Sequence, residues 1–161
     1  MNRLFSPWRS QYISTFVHGS KGRGCLFCRI AREAKDAENL VVWRGKFVFV
    51  VMNKFPYNSG HLMIVPFKHT AEFGKLTGPE HIELMSVTNR CLRALKKTSS
   101  PQGFNLGANL GRIAGAGIKD HIHFHVVPRW NGDTNFMPTI ADTKLVSEDL
   151  KVLRRRLKKE F

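Results

Sequence analysis

Three histidines alternate with apolar residues in the segment 121–127, which reads HIHFHVV. Side chains of a β-strand point alternately to its two faces, so the pattern predicts a strand with three imidazoles on one face and Ile122, Phe124 and Val126 on the other. Pro128 is expected to end this strand. Three adjacent imidazoles can act as nucleophile, proton donor and orienting group, or they can hold one metal ion together. The segment therefore predicts a chemically active sheet face, with both chemistries open.

A glycine-rich stretch lies directly upstream of the histidines. It carries glycines at positions 103, 107, 111, 115 and 117. Glycine lets backbone N–H groups approach an anion closely, so such a stretch can cradle a phosphate without side chains. It has neither the Gly-Lys-Ser/Thr ending of a P-loop nor the dinucleotide-binding fingerprint. Its position before the histidines suggests that a phosphorus centre is held between the two segments.

Hydrophobic patterning elsewhere predicts an α+β domain built on an antiparallel sheet, with the histidine strand in its middle. Apolar runs on either side of residues 44–46 indicate a β-hairpin, and another strand ends at Pro66. Thr77 and Glu80 have the spacing of a capping box before a long helix that crosses the sheet and runs to about Lys97. The other predicted elements are a short helix over 28–37, strands over 40–43, 47–52, 61–66 and 104–110, and a C-terminal helix with one basic face.

Length and charge indicate one globular unit with basic ends. The 161 residues are 42% apolar, which suits a single packed domain and excludes a disordered chain. We expect a basic, aromatic arm over 1–24, the domain over 25–140 and a basic amphipathic helix over 141–161 packed on the same domain. The formal net charge of +14 favours polyanionic ligands without choosing among nucleotides, nucleic acids and acidic membranes.

Targeting signals and cysteine usage bear on the compartment. No stretch approaches the roughly 18 apolar residues that span a bilayer, and residues 1–10 lack the apolar core of a signal peptide. We therefore expect a cytoplasmic protein without membrane contact. Cys25 and Cys28 form a Cys-x-x-Cys pair, and Cys91 leaves an odd number, which makes a poor disulfide framework. The pair fits either a zinc knuckle or a redox site.

The histidine segment and several motifs around it resemble the histidine triad superfamily. Its signature, His-x-His-x-His-x-x with apolar x, is matched in full by residues 121–127, and the resemblance covers roughly residues 25–130. Within the superfamily the chain is similar to the bacterial diadenosine tetraphosphate phosphorylase branch. The motifs that carry this narrower likeness are 55–63, 103–105, 109–112, 128–130 and 132–136.

The resemblance implies a HIT-like fold, a homodimer and a covalent nucleotidyl–histidine intermediate. His123 is then the expected nucleophile at the α-phosphorus, His125 the group at the leaving or non-bridging oxygen, and His61 the residue that orients them. Phosphate oxygens would be held by Asn109 and the backbone at Gly115, Ala116 and Gly117. The ribose would contact Asn53, and the base would contact Leu26, Phe27 and Ile30, for which plain core packing is the alternative.

The resemblance also supplies partners for the Cys-x-x-Cys pair. His69 and His121 would join Cys25 and Cys28 in a structural Cys₂His₂ zinc site, with unmetallated thiols as the alternative. Zinc on His121 would stiffen the segment that carries His123 without joining the chemistry.

The expected reaction is transfer of AMP from a dinucleoside polyphosphate such as diadenosine tetraphosphate to inorganic phosphate, with release of ATP and ADP. One alternative is a hydrolase of dinucleoside polyphosphates or nucleoside phosphoramidates. Another is a non-catalytic nucleotide- or RNA-binding module, although nucleic acid is not the expected partner, since counterion-driven binding needs no aligned histidines. Gly117 departs from the family pattern, because many relatives have a serine there. The loop before His121 has the length found in the phosphorylase branch.

Overall fold

The computed structural model describes residues 24–133 and 148–161. The arm predicted over 1–24 lies outside these residues except for Gly24, and so do the end of the predicted domain and the beginning of the predicted C-terminal segment. In chain order the described elements are α1 (Leu26–Arg32), β1 (Val41–Arg44), β2 (Val48–Met52), β3 (Leu62–Pro66), a 3-10 turn (Phe73–Lys75), α2 (Gly78–Ser99), β4 (Gly103–Gly107), β5 (Phe124–Arg129) and α3 (Leu150–Lys158).

The strands form one five-stranded sheet in the order β1-β2-β3-β5-β4, and all neighbours are antiparallel. The predicted α+β class with an antiparallel sheet, a long helix and a C-terminal helix is confirmed. The predicted middle position of the histidine strand is wrong by one place, because β3 is central. The reason is that β4 and β5 pair with each other and join the sheet through β5, which leaves β4 at the edge.

The two sheet faces bury different sets of side chains. Helices α2 and α3 cover one face, where Val50, Leu62 and Val126 belong to the larger core cluster. On the other face α1 contributes Phe27 and Ile30 to a second cluster, whose remaining buried members are Val41, Phe49, Val51 and Val65. Since alternate residues of a strand face opposite sides, β5 can bury Val126 against α2 while His125 faces the α1 side. Within the described residues, no helix has the length and apolarity needed to cross a bilayer.

The long helix α2 begins as its capping signal predicts. The Glu80 carboxylate accepts hydrogen bonds from the Thr77 N–H (2.6 Å) and hydroxyl (2.9 Å). The helix ends two residues later than expected, at Ser99, and Ser100 follows with a left-handed backbone (φ 46°). Its buried side recurs at helical spacing, with Leu84, Val87, Cys91 and Leu95.

Three predicted element boundaries are corrected. Strand β4 spans Gly103–Gly107 rather than 104–110. Helix α1 spans Leu26–Arg32 rather than 28–37; Arg44 donates to the carbonyls of Ile30, Ala31 and Glu33 and so holds the chain where the helix ends. Strand β5 begins at Phe124 rather than at residue 121, and it continues through Pro128 to Arg129. Pairing persists beyond the proline because the Gln102 N–H donates to the Arg129 carbonyl (2.9 Å).

Helix α3 is amphipathic and basic as expected, but one of its arginines is buried. Leu153 and Leu157 are fully buried in the core, as the apolar spacing predicts. Arg154, however, is only 7% exposed, and its Nε donates to the Val41 carbonyl of β1 (2.6 Å). The guanidinium therefore fastens α3 to the outer strand of the sheet and is not part of a solvated surface.

Candidate active site and metal centre

The loop between β2 and β3 presents His61 to the α1 side of the sheet. The Asn53 N–H donates to the His61 carbonyl (2.9 Å), and the Asn53 side-chain oxygen accepts from the Phe55 N–H (2.9 Å). Gly60 has φ +80°, and a Cβ there would lie 3.0 Å from Leu95 and 3.2 Å from Pro128. Only glycine suits both the backbone conformation and the space. His61 is consequently held with 1% exposure.

A chain of hydrogen bonds runs from this loop through His61 to His125. The Tyr57 N–H donates to His61 Nδ1 (3.1 Å), and His61 Nε2 lies 2.8 Å from His125 Nδ1. Because a backbone N–H can only donate, Nδ1 of His61 is an acceptor, and a neutral His61 carries its proton on Nε2. His61 then donates to His125 Nδ1, so neutral His125 carries its own proton on Nε2. The network thus makes His125 Nε2 a proton donor.

In His123 the Nδ1 atom is hydrogen-bonded and Nε2 is the nitrogen left for chemistry. His123 is 6% exposed, and its Nδ1 lies 2.9 Å from the His121 carbonyl, to which only a protonated nitrogen can donate. Nε2 of the neutral ring is therefore left with a lone pair, as a nucleophile requires. Burial lowers the pKa of the His123 imidazole, and the hydrogen bond to His121 acts in the opposite direction. The rings of His123 and His125 lie 4.9 Å apart at their centroids.

After β4, the glycine-rich stretch continues as a loop that has hydrogen bonds between its own backbone groups. The Gly115 N–H donates to the Arg112 carbonyl (3.0 Å), and the Ala116 N–H donates to the Gly111 carbonyl (3.3 Å). Gly117 is exposed and Asn109 is half-buried. Among the described contacts, no hydrogen bond joins Asn109 to the histidines. Two of the three expected backbone donors would therefore have to exchange these bonds before they could hold a phosphate.

The four residues expected to contact the base and the ribose differ in their burial and in their contacts. Phe27 is 1% exposed and packs its ring on His123 (5.0 Å between centroids), and Ile30 is buried in the core. Leu26 is half-buried. Asn53 is 8% exposed, and its side-chain amide lies 3.3 Å from His61 Nδ1. In this structure Phe27 and Ile30 serve as core, and Asn53 supports His61.

Sequence reasoning missed Tyr57. Its backbone N–H donates to His61 Nδ1, beside the Asn53 amide, and its ring stacks on the His61 ring with centroids 4.7 Å apart. The only signal in the sequence is its position in the loop before Gly60 and His61. A backbone donor leaves no trace in residue type, so the contact was not predictable.

The four residues expected to bind metal converge on one point. One donor atom from each of Cys25, Cys28, His69 and His121 lies within 4.8 Å of all the others. His121 Nδ1 is 3.3 Å from the Cys25 sulfur, 3.6 Å from the Cys28 sulfur and 3.2 Å from His69 Nδ1. Tetrahedral zinc with ordinary bond lengths places nitrogen and sulfur ligands about 3.6 Å apart and two nitrogens about 3.4 Å apart. The donor set therefore fits zinc.

Surrounding contacts support the same interpretation. His121 Nε2 donates to the Pro66 carbonyl (2.8 Å), which leaves Nδ1 without a proton and directed at the thiols. Burial raises the pKa of the Cys28 thiol, and the neighbouring Cys25 raises it further, so a bound cation would be needed to favour the thiolates. The three-histidine metal site is not formed, because His121 faces the cysteines whereas Nδ1 of His123 and of His125 is engaged elsewhere.

Comparison with known proteins agrees with this geometry. The HIT domain family matches residues 34–132. An AP-4-A phosphorylase from Mycobacterium tuberculosis is 41% identical over 166 residues, which cover 100% of this chain and 85% of the relative. A Zn-bound histidine triad family protein from Mycobacterium smegmatis superposes with a TM-score of 0.68 at 25% identity, over 85% of this chain and 92% of the other.

A second solved structure extends the likeness to a distant organism. A hypothetical histidine triad nucleotide-binding protein from Sulfolobus tokodaii superposes with a TM-score of 0.69 at 25% identity, covering 84% of this chain and 91% of the other. The histidine cluster, the fold and the family match all agree. The chain therefore belongs to the histidine triad (HIT) family and is a nucleotide-processing enzyme of that family.

Proposed function

We propose that this enzyme phosphorolyses diadenosine tetraphosphate through a nucleotidyl–histidine intermediate. Nε2 of His123 attacks the α-phosphorus, the bond from that phosphorus to the bridging oxygen breaks, and ATP leaves. Inorganic phosphate then attacks the AMP group on His123 and leaves as ADP. The observation that carries the proposal is the pairing of a lone pair on His123 Nε2 with a proton on His125 Nε2, both inferred from their hydrogen bonds.

His125 and His61 would act on the leaving group. His125 Nε2 donates a hydrogen bond or a proton to the departing oxygen, and His61 Nε2–H keeps the partner nitrogen of His125 in its acceptor form. Asn109 and the backbone at Gly115, Ala116 and Gly117 would hold the phosphate oxygens once the loop has exchanged its internal bonds. Asn53 would contact the ribose, and Leu26, Phe27 and Ile30 would border the base.

The choice of phosphate as acceptor follows the relative with which the whole chain aligns. That protein from Mycobacterium tuberculosis is called AP-4-A phosphorylase, and it is 41% identical. A hydrolase would use the same histidines and differ only in admitting water at the second step. The acceptor is therefore the part of the proposal that the experiment below addresses first.

Zinc would be a structural cofactor here. Cys25, Cys28, His69 and His121 would hold it, and the ion would supply a fixed cross-link between α1 and the segment leading into β5. The His121 carbonyl accepts a hydrogen bond from His123 Nδ1, so a firmly held His121 fixes the orientation of the nucleophile. The metal takes no part in bond breaking.

We also propose a homodimer in the cytoplasm. Strand β4 is an edge of the sheet, and Leu106 on it is 48% exposed. Ile82 and Met85 on α2 are 73% and 54% exposed. Large apolar side chains exposed on a helix and an outer strand on an edge of the sheet are both typical of surfaces that a second copy covers.

Product analysis tests the function. Diadenosine tetraphosphate is incubated with the enzyme, with and without isotopically labelled inorganic phosphate, and the nucleotides are separated. We expect ATP and ADP only when phosphate is present, with the label in the β-phosphate of ADP. AMP and ATP without phosphate would overturn phosphorolysis and establish a hydrolase. The absence of turnover in both conditions would overturn nucleotidyl transfer from this substrate.

A further inference from the structure

Asp133 joins three segments at the far end of the histidine strand. Its side chain is 8% exposed, and its two carboxylate oxygens accept from Arg129 Nε (2.5 Å) and a second guanidinium nitrogen (3.0 Å). The same carboxylate accepts from the Asn58 amide (2.8 Å) and the Trp130 N–H (3.2 Å). Arg129 also donates to the Asn105 side chain on β4 (2.8 Å). A buried carboxylate with this many donors has a fixed position.

Asn58 links the Asp133 carboxylate to the loop that holds His61. Its amide donates both to Asp133 and to the Pro128 carbonyl (3.1 Å), and its backbone carbonyl accepts from the His61 N–H (3.1 Å). The residue before it, Tyr57, donates its N–H to His61 Nδ1. Residues 57 and 58 therefore hold both the backbone and the ring of His61, and Asp133 holds residue 58.

We propose that Asp133 is a positioning residue that fixes His61, through Asn58, in the one tautomer that keeps the His125 Nε2 proton directed at the leaving group. The inference rests on the proposed function for its catalytic consequence, but the tautomer of His61 follows from the contacts alone. Loss of its carboxylate leaves the Asn58 amide with only the Pro128 carbonyl (3.1 Å) as a described acceptor. Residues 57 and 58 can then shift, the Tyr57 N–H moves relative to His61, and the longer contact from the Asn53 amide (3.3 Å) is left to hold His61 Nδ1.

Two variants separate this role from general stability. Asp133→Ala removes every hydrogen bond made to the carboxylate, whereas Asn58→Ala removes the amide's bonds to Asp133 and Pro128 and leaves the Asp133–Arg129 pair intact. Glu160→Gln is the matched control, because Glu160 is also partly buried and pairs with a cation, Lys97 (2.9 Å), at the end of α3. Long-range ¹H–¹⁵N spectra of the imidazoles and amide hydrogen exchange at residues 57 and 61 provide readouts that do not depend on activity.

We expect a single Nε2–H tautomer of His61 in the wild type and the control, and a mixture with faster exchange at residue 61 in both test variants. In turnover of diadenosine tetraphosphate, kcat should fall by about ten- to a hundredfold, as for other residues that orient functional groups, while KM stays nearly constant. In a His61→Ala background, Asp133→Ala should cause no further loss of kcat, because its effect passes through His61.

A folded Asn58→Ala protein with an unchanged His61 tautomer would overturn the inference. So would an undiminished effect of Asp133→Ala in the His61→Ala background. If the wild type fails to turn over the substrate, the proposed function is lost, but the imidazole spectra still decide the role of Asp133. If Asp133→Ala does not fold, the Asn58→Ala spectra decide it.

Discussion

The chemical role of His123 follows from the hydrogen bond that its ring makes and not from its position in the His-x-His-x-His pattern. Its Nδ1 donates to the His121 carbonyl, so Nε2 is the nitrogen that can attack. We predict that His123→Asn keeps the fold, since asparagine can still donate at a similar position, but lowers turnover of diadenosine tetraphosphate by at least about a thousandfold. His81→Asn, a change at a half-buried histidine on α2, should leave kcat unaltered. Appreciable residual turnover in His123→Asn would contradict the nucleophile role.

The cysteine–histidine cluster makes a prediction about metal content. Cys25→Ala should lose stoichiometric zinc and lower the melting temperature, because three remaining ligands bind weakly and a site formed only on folding contributes to stability. Metal analysis and thermal unfolding measure the two effects. Cys91→Ala is the control: this thiol is fully buried in α2, burial raises its pKa to about 12, and it lies outside the cluster, so zinc should remain. Full zinc in Cys25→Ala would refute the ligand set.

At the residue scale, the sequence predicted which types of side chain matter better than it predicted their surroundings. The Cys-x-x-Cys spacing marks two ligands, but His69 and His121 lie 41 and 93 residues from Cys28, so only the family resemblance indicated them. The hydrogen bond from the Tyr57 backbone to His61 had no sequence signal. Contacts made by backbone atoms across a loop depend on the folded path of the chain, which residue identity alone does not encode.

At the scale of an element, the histidine segment shows that sequence periodicity predicts which face a side chain occupies but not where the strand begins. Alternation predicted the three imidazoles on one face. In the structure that face lies toward α1, where Phe27 packs against both His121 and His123, and the His125 ring lies 4.9 Å from that of His123. Alternation did not indicate that β5 begins only at Phe124. The Ile122 N–H donates to the Thr70 carbonyl (2.7 Å) instead of to a neighbouring strand. That bond depends on a distant loop, so the boundary could not be predicted locally.

The capping box of α2 gives a pH-dependent prediction. Hydrogen bonds from the Thr77 backbone and hydroxyl lower the pKa of the Glu80 carboxyl. A carboxyl with a lowered pKa in the folded state stabilises the protein above its unfolded value of about 4.3, and that contribution is lost as the pH falls through the folded pKa. Glu80→Gln should therefore cost about 1 kcal/mol of unfolding free energy at pH 7 and progressively less below pH 4.

Urea unfolding at a series of pH values measures this effect. Glu38→Gln is a suitable control, because Glu38 is exposed and its ion pair with Lys35 is long (3.9 Å). The control should follow the wild type at every pH. A constant difference between wild type and Glu80→Gln from pH 7 to pH 3 would show that the carboxylate charge is not responsible.

At the scale of the whole molecule, the fold class could be predicted from the sequence because hydrophobic periodicity identifies strands and helices one at a time. The strand order could not be predicted in the same way, since β4 could also have paired directly with β1 or with β3. Its position beyond β5 follows from pairings such as Asn105 with Val127, between strands separated by the glycine-rich loop. The extent of the domain and its terminal segments stays a prediction.

The exposed apolar residues lead to a prediction about assembly. Leu106→Lys on β4 should convert a dimer to a monomer, because a charged side chain in a covered apolar surface has no partner there. Sedimentation equilibrium over a range of protein concentrations measures the change. Val152→Lys, at a 40% exposed position on α3, should leave the dimer intact. A wild type that is monomeric at all concentrations would contradict the dimer.

The hydrogen bond from Arg154 to β1 has a consequence for how copies of the chain can add to one another. The Val41 N–H donates to the Asp36 carbonyl and the Val41 carbonyl accepts from Arg154, so the outward-facing groups of Val41 are both occupied. Among the described residues, a strand added beside β1 would therefore have to break both of these bonds at Val41. The proposed second copy would then add beside β4 more readily than beside β1.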